Sequence, residues 1–193
     1  MPQTDRRTDQ SVGKVLAKRA SAMPDSVFIV SDEGELTFGQ ADRDSNRVAN
    51  AIDQLGIEAG ETLLVLLPNI VPFILLWLGI GKRGAIQVPV NTAYRGSLLV
   101  HVINDSAADT MIVEASFLDR LADVAGELEH LKRLIVLDPS GNQGELPPAL
   151  AHMEQLDFKV LTDAPDTPRE TLPAHHDIKA VMYTSGTTGP SKG

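Results

Sequence analysis

Twenty consecutive residues, Thr62 to Gly81, carry no formal charge, and what interrupts them decides what the chain can become. A run of that length approaches the roughly 20 apolar residues of a bilayer-crossing helix. Pro68, Asn69 and Pro72 break it, leaving the apolar pieces Leu63 to Leu67 and Phe73 to Ile80. Each piece is too short to cross a membrane and has the size of a buried strand or helix face. The stretch therefore predicts a strand, then a helix capped by Asn69, with no transmembrane segment. No apolar run follows Arg6 and Arg7, so the start does not read as a signal peptide.

The same alternation runs through the chain. A helix from Ser11 to Ala22 and a strand from Val27 to Val30 lead to a turn at Asp32-Glu33-Gly34. A helix from Phe38 to Leu55 follows, with Thr37 and Gln40 as a capping-box pair and Gly56 after its end. Phe38, Ala41, Ser45, Val48, Ile52 and Leu55 recur at helical spacing on it. Strand Leu63 to Leu67, helix Ile70 to Lys82 and strand Ala85 to Val90 come next. Helix Ser97 to Ser106, strand Thr110 to Val113, helix Ser116 to Leu128 and strand Arg133 to Leu137 complete the series. Near-continuous apolar strands joined by helices predict an α/β fold: a layered, mostly parallel sheet with helices on both faces. With 42% apolar residues in 193, the chain has ample material for a core.

Residues 138–177 break the rhythm. Six of the twelve prolines lie there, with Gly141 and Gly144, around a short helical stretch at Ala149 to Leu156. The segment reads as an excursion over the surface before a returning strand at Ile178 to Tyr183, or else as a domain linker. The expected organisation is an N-terminal helix and arm over 1–26 and one incomplete domain over 27–193.

Composition excludes several functions. A net charge of −9 argues against a nucleic-acid binder or an anionic-membrane binder. The absence of cysteine excludes disulfides, thiol nucleophiles and Cys-zinc sites, and leaves the cytoplasm as the default compartment. Gly79-Ile80-Gly81-Lys82-Arg83-Gly84 is a literal GxGxxG with Asp105 about twenty residues on. A dinucleotide site needs that motif after a strand and opening a helix. Here it ends a helix and opens a strand, so small residues for close packing, with Lys82 and Arg83 at the helix C-terminus, fit better. His175-His176 reads as solvated loop; His101, His130 and His152 are isolated. Asp119, Asp123, Glu127 and Glu129 read as a solvated helix face, and Trp77, spaced with Phe73 and Ile80, as core. No metal ligands and no catalytic nucleophile or base are assigned. Tyr94-Arg95 reads equally as a contact for an anionic group or as ordinary surface.

The densest chemistry lies at the end, Tyr183-Thr184-Ser185-Gly186-Thr187-Thr188-Gly189-Pro190-Ser191-Lys192-Gly193. Glycines let backbone N–H groups approach a phosphate, hydroxyls donate to its oxygens, and a lysine adds compact charge. The preceding apolar strand is where α/β proteins carry phosphate loops. Gly189 stands three residues before Lys192, so this is not a Walker A loop. A flexible Gly/Ser/Thr linker is the competing reading.

Thr184 to Gly193, TSGTTGPSKG, resembles the glycine-rich phosphate loop of the adenylate-forming enzymes: acyl-CoA synthetases, luciferases and peptide-synthetase adenylation domains. Leu36-Thr37-Phe38 resembles the family's first core motif, with Gln40-Ala41 in place of the usual Glu-Leu. Gly81 to Asn91 resembles the second. Leu67-Pro68-Asn69 also fits, with Pro72 where relatives often carry an acid. Pro89 to Gly96 is most similar to acyl-CoA synthetases of the carnitine-CoA ligase and fatty-acid-transport-like type. The resemblance covers about residues 27–193, under half of such an enzyme, and implies an N-terminal part of its large domain. It implies a ligase that activates a carboxylic acid with ATP and Mg²⁺ as acyl-AMP and passes it to CoA. It assigns Thr184, Ser185, Gly186, Thr187, Thr188, Gly189 and Lys192 to the β- and γ-phosphates of ATP. The 193-residue chain is expected to form no thioester alone. A nucleotide-binding module without chemistry and an interaction remnant are the alternatives.

Overall fold

A computed structural model describes residues 10–32, 34–141 and 144–184. In chain order the elements are α1 (Val12–Ala22), β1 (Val27–Ser31), β2 (Gly34–Thr37), α2 (Phe38–Gln54), β3 (Thr62–Leu66), α3 (Val71–Arg83), β4 (Ile86–Pro89), α4 (Gly96–Asp105), β5 (Thr110–Glu114), α5 (Leu118–Ala122), β6 (Arg133–Leu137), β7 (Glu154–Asp157) and α6 (Lys159–Thr162). They form two compact units.

The first unit holds the described residues up to Gly60, with Val71–Ala85 and Leu161–Lys179. Its centre is the pair α2 and α3. At the start of α2 the predicted capping box is present. Gln40 N–H donates to Thr37 Oγ1 at 3.3 Å, and Thr37 N–H donates to Gln40 Oε1 at 2.8 Å. Ala41, Ser45, Val48 and Ile52 are buried along one face, as their spacing requires. A Cβ on Gly79 of α3 would stand 2.4 Å from Val48 Cβ and 2.8 Å from Ser45 O, so only glycine lets the two helices approach this closely. Residues 165–167 lie along α2: Asn50 Nδ2 donates to Pro165 O at 2.7 Å and Thr167 O at 2.9 Å. The segment read as a turn running into a helix holds a further strand. β1 and β2 pair antiparallel with Ile29 opposite Leu36, because backbone groups beside a turn find each other before a four-residue strand can show a period.

The second unit holds Glu61–Ile70, Ile86–Val160 and the described residues from Ala180 on. It contains a five-stranded sheet in the order β4-β3-β5-β6-β7, every pairing parallel. Leu64, Leu66, Met111, Val113, Leu134 and Val136 share a core with Leu99, Val102 and Ile103 of α4 and Leu118 and Leu121 of α5. The alternate residues Leu63, Val65, Ile112 and Ile135 are also fully buried. Burial on both faces is why these strands read as continuous apolar runs. The predicted fold class is the observed one.

Three elements differ from expectation. The helix at Ser116 to Leu128 is broken: α5 stops at Ala122, and Ala125–Glu127 forms a separate 3₁₀ turn. Gly126 is a poor helix former there, and Val124 and Ala125 turn inward to the core. The helix at Ala149 to Leu156 is instead a 3₁₀ turn at Pro148–Leu150 followed by β7. Pairing with β6 overrides the local spacing, held by Arg133 Nε donating to Glu154 Oε2 at 2.7 Å. The strand at Ile178 to Tyr183 is reduced to one parallel bridge between Ala180 and Gln87. Among the described residues no helix is long and apolar enough to cross a membrane.

Candidate functional site

Residues 180–184 carry the chain to the expected phosphate loop along the free edge of β4. Ala180 bridges Gln87, and Val181 N–H donates to Gln87 O at 3.0 Å. In the same parallel register Tyr183 comes level with Val90, just beyond Pro89 at the carboxyl end of β4. Ligands of open α/β sheets bind outside the carboxyl ends of the strands. Thr184 is exposed there. Ser185, Gly186, Thr187, Thr188, Gly189 and Lys192 lie outside the described residues.

Tyr183 is anchored on α4. Its ring packs against the sheet core, and its Oη donates to Asp105 Oδ2 at 2.6 Å. The His101 ring meets it edge-on with centroids 6.0 Å apart. Burial, and then the bond and charge of Asp105, push the Tyr183 phenol above its ordinary pKa, so it stays a donor. Sequence reasoning missed this arrangement. Tyr183 and Asp105 are 78 residues apart, and only the place of Tyr183 beside the loop signalled it.

The glycine-rich stretch 79–84 closes α3 and leads into β4, as the packing reading expects. Lys82 and Arg83 lie in the last turn of α3, as expected. What that reading does not hold is that the Lys82 side chain is only 1% exposed. Nζ donates to Asp42 O at 3.0 Å, Asp42 Oδ1 at 2.7 Å and Asn46 Oδ1 at 2.7 Å. Burial lowers its pKa, while the bond and charge of Asp42 oppose the shift. Arg83 pairs with Asp53 at 2.9 Å. Trp77 is half-buried and not core: its carbonyl accepts from Lys179 Nζ at 2.8 Å, and its ring centroid lies 5.3 Å from that ammonium. Desolvation pushes Lys179 down to about 8. A Cβ on Gly81 would stand 1.9 Å from Lys179 Nζ, so the glycine makes the notch in which the lysine lies.

Among the described residues, a recess of about 100 Å³ in the first unit is lined by Ser11, Gly84, His175 and Lys179, and another of about 100 Å³ in the second unit by Asp138, Gly141, Asp157 and Lys159. Both are far below the roughly 300–1,000 Å³ of small-molecule sites. Among the described residues no three His, Cys, Asp or Glu side chains converge as a metal site. His175 and His176 are exposed, and His152 precedes β7 in a turn and is not on a helix. Asp119, Asp123, Glu127 and Glu129 are exposed. Arg95 is the exposed N-cap of α4 without a side-chain capping bond. Nearby, an Arg120 guanidinium nitrogen donates to Thr92 O, and the guanidinium carbon lies 4.8 Å over the Phe117 ring.

Comparison with known proteins adds what geometry alone does not. Residues 16–193 match the model of the family described as AMP-binding enzyme. Long-chain fatty acid transport protein 1 of Rattus norvegicus is 31% identical over 191 residues, 97% of this chain and 29% of that protein. A medium/long-chain-fatty-acid–CoA/3-oxocholest-4-en-26-oate–CoA ligase of Mycolicibacterium smegmatis is 28% identical over 179 residues, 92% of this chain and 32% of that protein. Among solved structures, the anthranilate CoA ligase AuaEII in complex with anthranoyl-AMP superposes with a TM-score of 0.80 at 26% identity, covering 93% of this chain and 33% of that one. The chain thus spans about a third or less of the length of these relatives.

Proposed function

The chain belongs to the AMP-binding enzyme family, and from that premise we propose that it is part of an ATP-dependent acyl-CoA synthetase. In this reading the segment Thr184 to Lys192 holds the β- and γ-phosphates of ATP. The single observation that carries the proposal is the family match running through TSGTTGPSKG to residue 193. The strand-edge approach supports it, since Thr184 emerges beyond the carboxyl end of β4.

The chemistry of the donor set fits a polyphosphate. Thr184, Ser185, Thr187 and Thr188 offer hydroxyls, Gly186 and Gly189 let backbone N–H groups close in, and Lys192 adds positive charge to an acidic body. Attack of a carboxylate on the α-phosphate joins two anions and releases pyrophosphate. Donors held where that charge grows lower the barrier, without serving as nucleophile or base. Mg²⁺ supplies further charge neutralisation when bound, and CoA is the thiol acceptor of the second half-reaction. The substrate is a small-molecule carboxylic acid, and the setting is the cytoplasm, where ATP and CoA are at hand. Residues 1–26 serve as an N-terminal helix and arm, and 27–193 as the AMP-binding part, with 138–177 as its surface excursion.

The test is a MgATP titration of the 193-residue chain beside Lys192→Ala. Saturable binding that Lys192→Ala weakens at least tenfold supports the loop assignment; equal binding by both refutes it. Incubation with ATP, CoA and fatty acids is expected to yield no acyl-CoA from the chain alone, and product in that assay overturns the partial-enzyme reading.

A further inference from the structure

We propose that Lys179 is an acylation site: its amine, lying in the notch over Gly81, accepts a short-chain acyl group from an acyl thioester. The proposal stands apart from the function inferred above, because it needs neither a bound nucleotide nor any activity of the chain.

The seat of the side chain comes first. A Cβ on Gly81 would stand 1.9 Å from Lys179 Nζ, so the amine lies directly against the backbone of α3. It donates to Trp77 O at 2.8 Å and stands 5.3 Å from the Trp77 ring centroid. Asp177 and His175 line the same recess and are exposed. The Asp177 carboxylate accepts from Ala174 N–H at 2.7 Å and, like every other carboxylate among the described residues, forms no ion pair with Lys179.

A half-buried cation without a counter-ion is held at a cost, and the neutral form gains by comparison. Desolvation accordingly lowers the Lys179 pKa to about 8. At a pH of about 7.5 roughly a quarter of such amines are neutral, against about one in a thousand for an ordinary lysine. The neutral amine is the nucleophile, and desolvation is a known route to reactive lysines. A less basic nucleophile is intrinsically weaker, which takes back part of the gain.

Acylation also removes the charge that the seat penalises. The nitrogen attacks the thioester carbonyl, an N–C bond forms, and the C–S bond breaks. The thiol leaves with the proton that the nitrogen gives up. The amide product keeps one N–H, enough for the bond to Trp77 O. The recess beside the amine, about 100 Å³, has the room of about three waters, which suits a short acyl group and not a long chain. Ser11 lines it with a buried hydroxyl that has no hydrogen-bond partner among the described residues, so the wall holds a donor to spare for the acyl carbonyl.

The 193-residue chain is incubated with acetyl-CoA from about pH 6.5 to 9.5, across the titration of such an amine, and acetylation of each lysine is followed by peptide mass spectrometry. Near pH 7.5 Lys179 is expected to react about tenfold faster than the exposed Lys18, Lys132 and Lys159, with its rate half-maximal near pH 8. The same reaction in urea, where the notch is gone, is expected to lose that advantage. Gly81→Ala, whose Cβ fills the notch, should lose it too. A Lys179 rate at or below that of the exposed lysines overturns the proposal. So does an advantage that survives in urea or in Gly81→Ala, since it would then belong to the local sequence and not to the seat.

Discussion

Lys82 and Lys179 are both withdrawn from water in the first unit, and they are treated differently. Lys82 spends its three donors on Asp42 O, Asp42 Oδ1 and Asn46 Oδ1, so its charge is matched by a carboxylate at 2.7 Å. Lys179 gives one bond to Trp77 O and turns its ammonium toward the Trp77 ring, with no carboxylate in an ion pair among the described residues. Burial lowers both pKa values, but only Lys82 has an acid opposing the shift. A buried cation with a full partner set locks one arrangement of helices. One held by a carbonyl and a ring stays close to losing its proton.

The sharpest way to break that contrast is Asp42→Ala. It strands a fully buried ammonium and is expected to cost about 3 kcal/mol or more of folding stability in urea titration, since breaking one side of a buried pair leaves the other uncompensated. Asp42→Asn, which keeps an acceptor, should lose clearly less; equal losses would show that charge does not matter at Lys82. Gly79→Ala comes next. Its new Cβ would fall 2.4 Å from Val48 Cβ, and overpacking of this kind costs about 1–3 kcal/mol. The α2–α3 contact is what brings Asp42 and Asn46 to Lys82, so a Val48→Ala background should restore part of the loss. No recovery would place the clash elsewhere.

A smaller pair tests the same principle at helix starts. Thr37 completes its capping box, whereas the Ser11 hydroxyl at the start of α1 makes no capping bond and is buried without a hydrogen-bond partner among the described residues. Thr37→Ala is expected to cost about 1 kcal/mol. Ser11→Ala should cost little or raise stability, since it removes an unsatisfied group. Chemical denaturation of the two variants decides it; a larger loss at Ser11 would mean that its hydroxyl has a partner in solution.

What was legible in the sequence follows the range of the forces involved. The capping box, the α2 face and the apolar runs of β3, β5 and β6 are local patterns, and each came out where the period put it. Partners distant in sequence did not show. Lys82 meets Asp42 40 residues away, and Asp105 meets Tyr183 78 residues away; composition around either member signals neither contact. β2 and β7, of four residues each, are made by pairing more than by pattern. Of the candidate site, Thr184 and the approach through Tyr183 belong to the described structure, while Ser185 to Lys192 are read from their motif.

The smallest expected effect separates the two lysines by pH. In the unfolded chain Lys179 titrates near the ordinary lysine value of 10.5, and in the fold it is pushed down to about 8. Between those values the unfolded state holds a proton that the folded state has released, so stability rises with pH across that window. Below about pH 8 both states are protonated, and the fold carries the whole cost of desolvating the ammonium. Lys179→Met removes the titration. The stability of the unsubstituted chain relative to Lys179→Met is therefore expected to improve as pH rises from about 8 toward 10.5, by a modest amount because the lysine is only half-buried. Urea titrations of both proteins at intervals across that range measure it. A flat difference would show that Lys179 keeps its ordinary proton affinity, and the contrast with Lys82 would then rest on hydrogen-bond geometry alone.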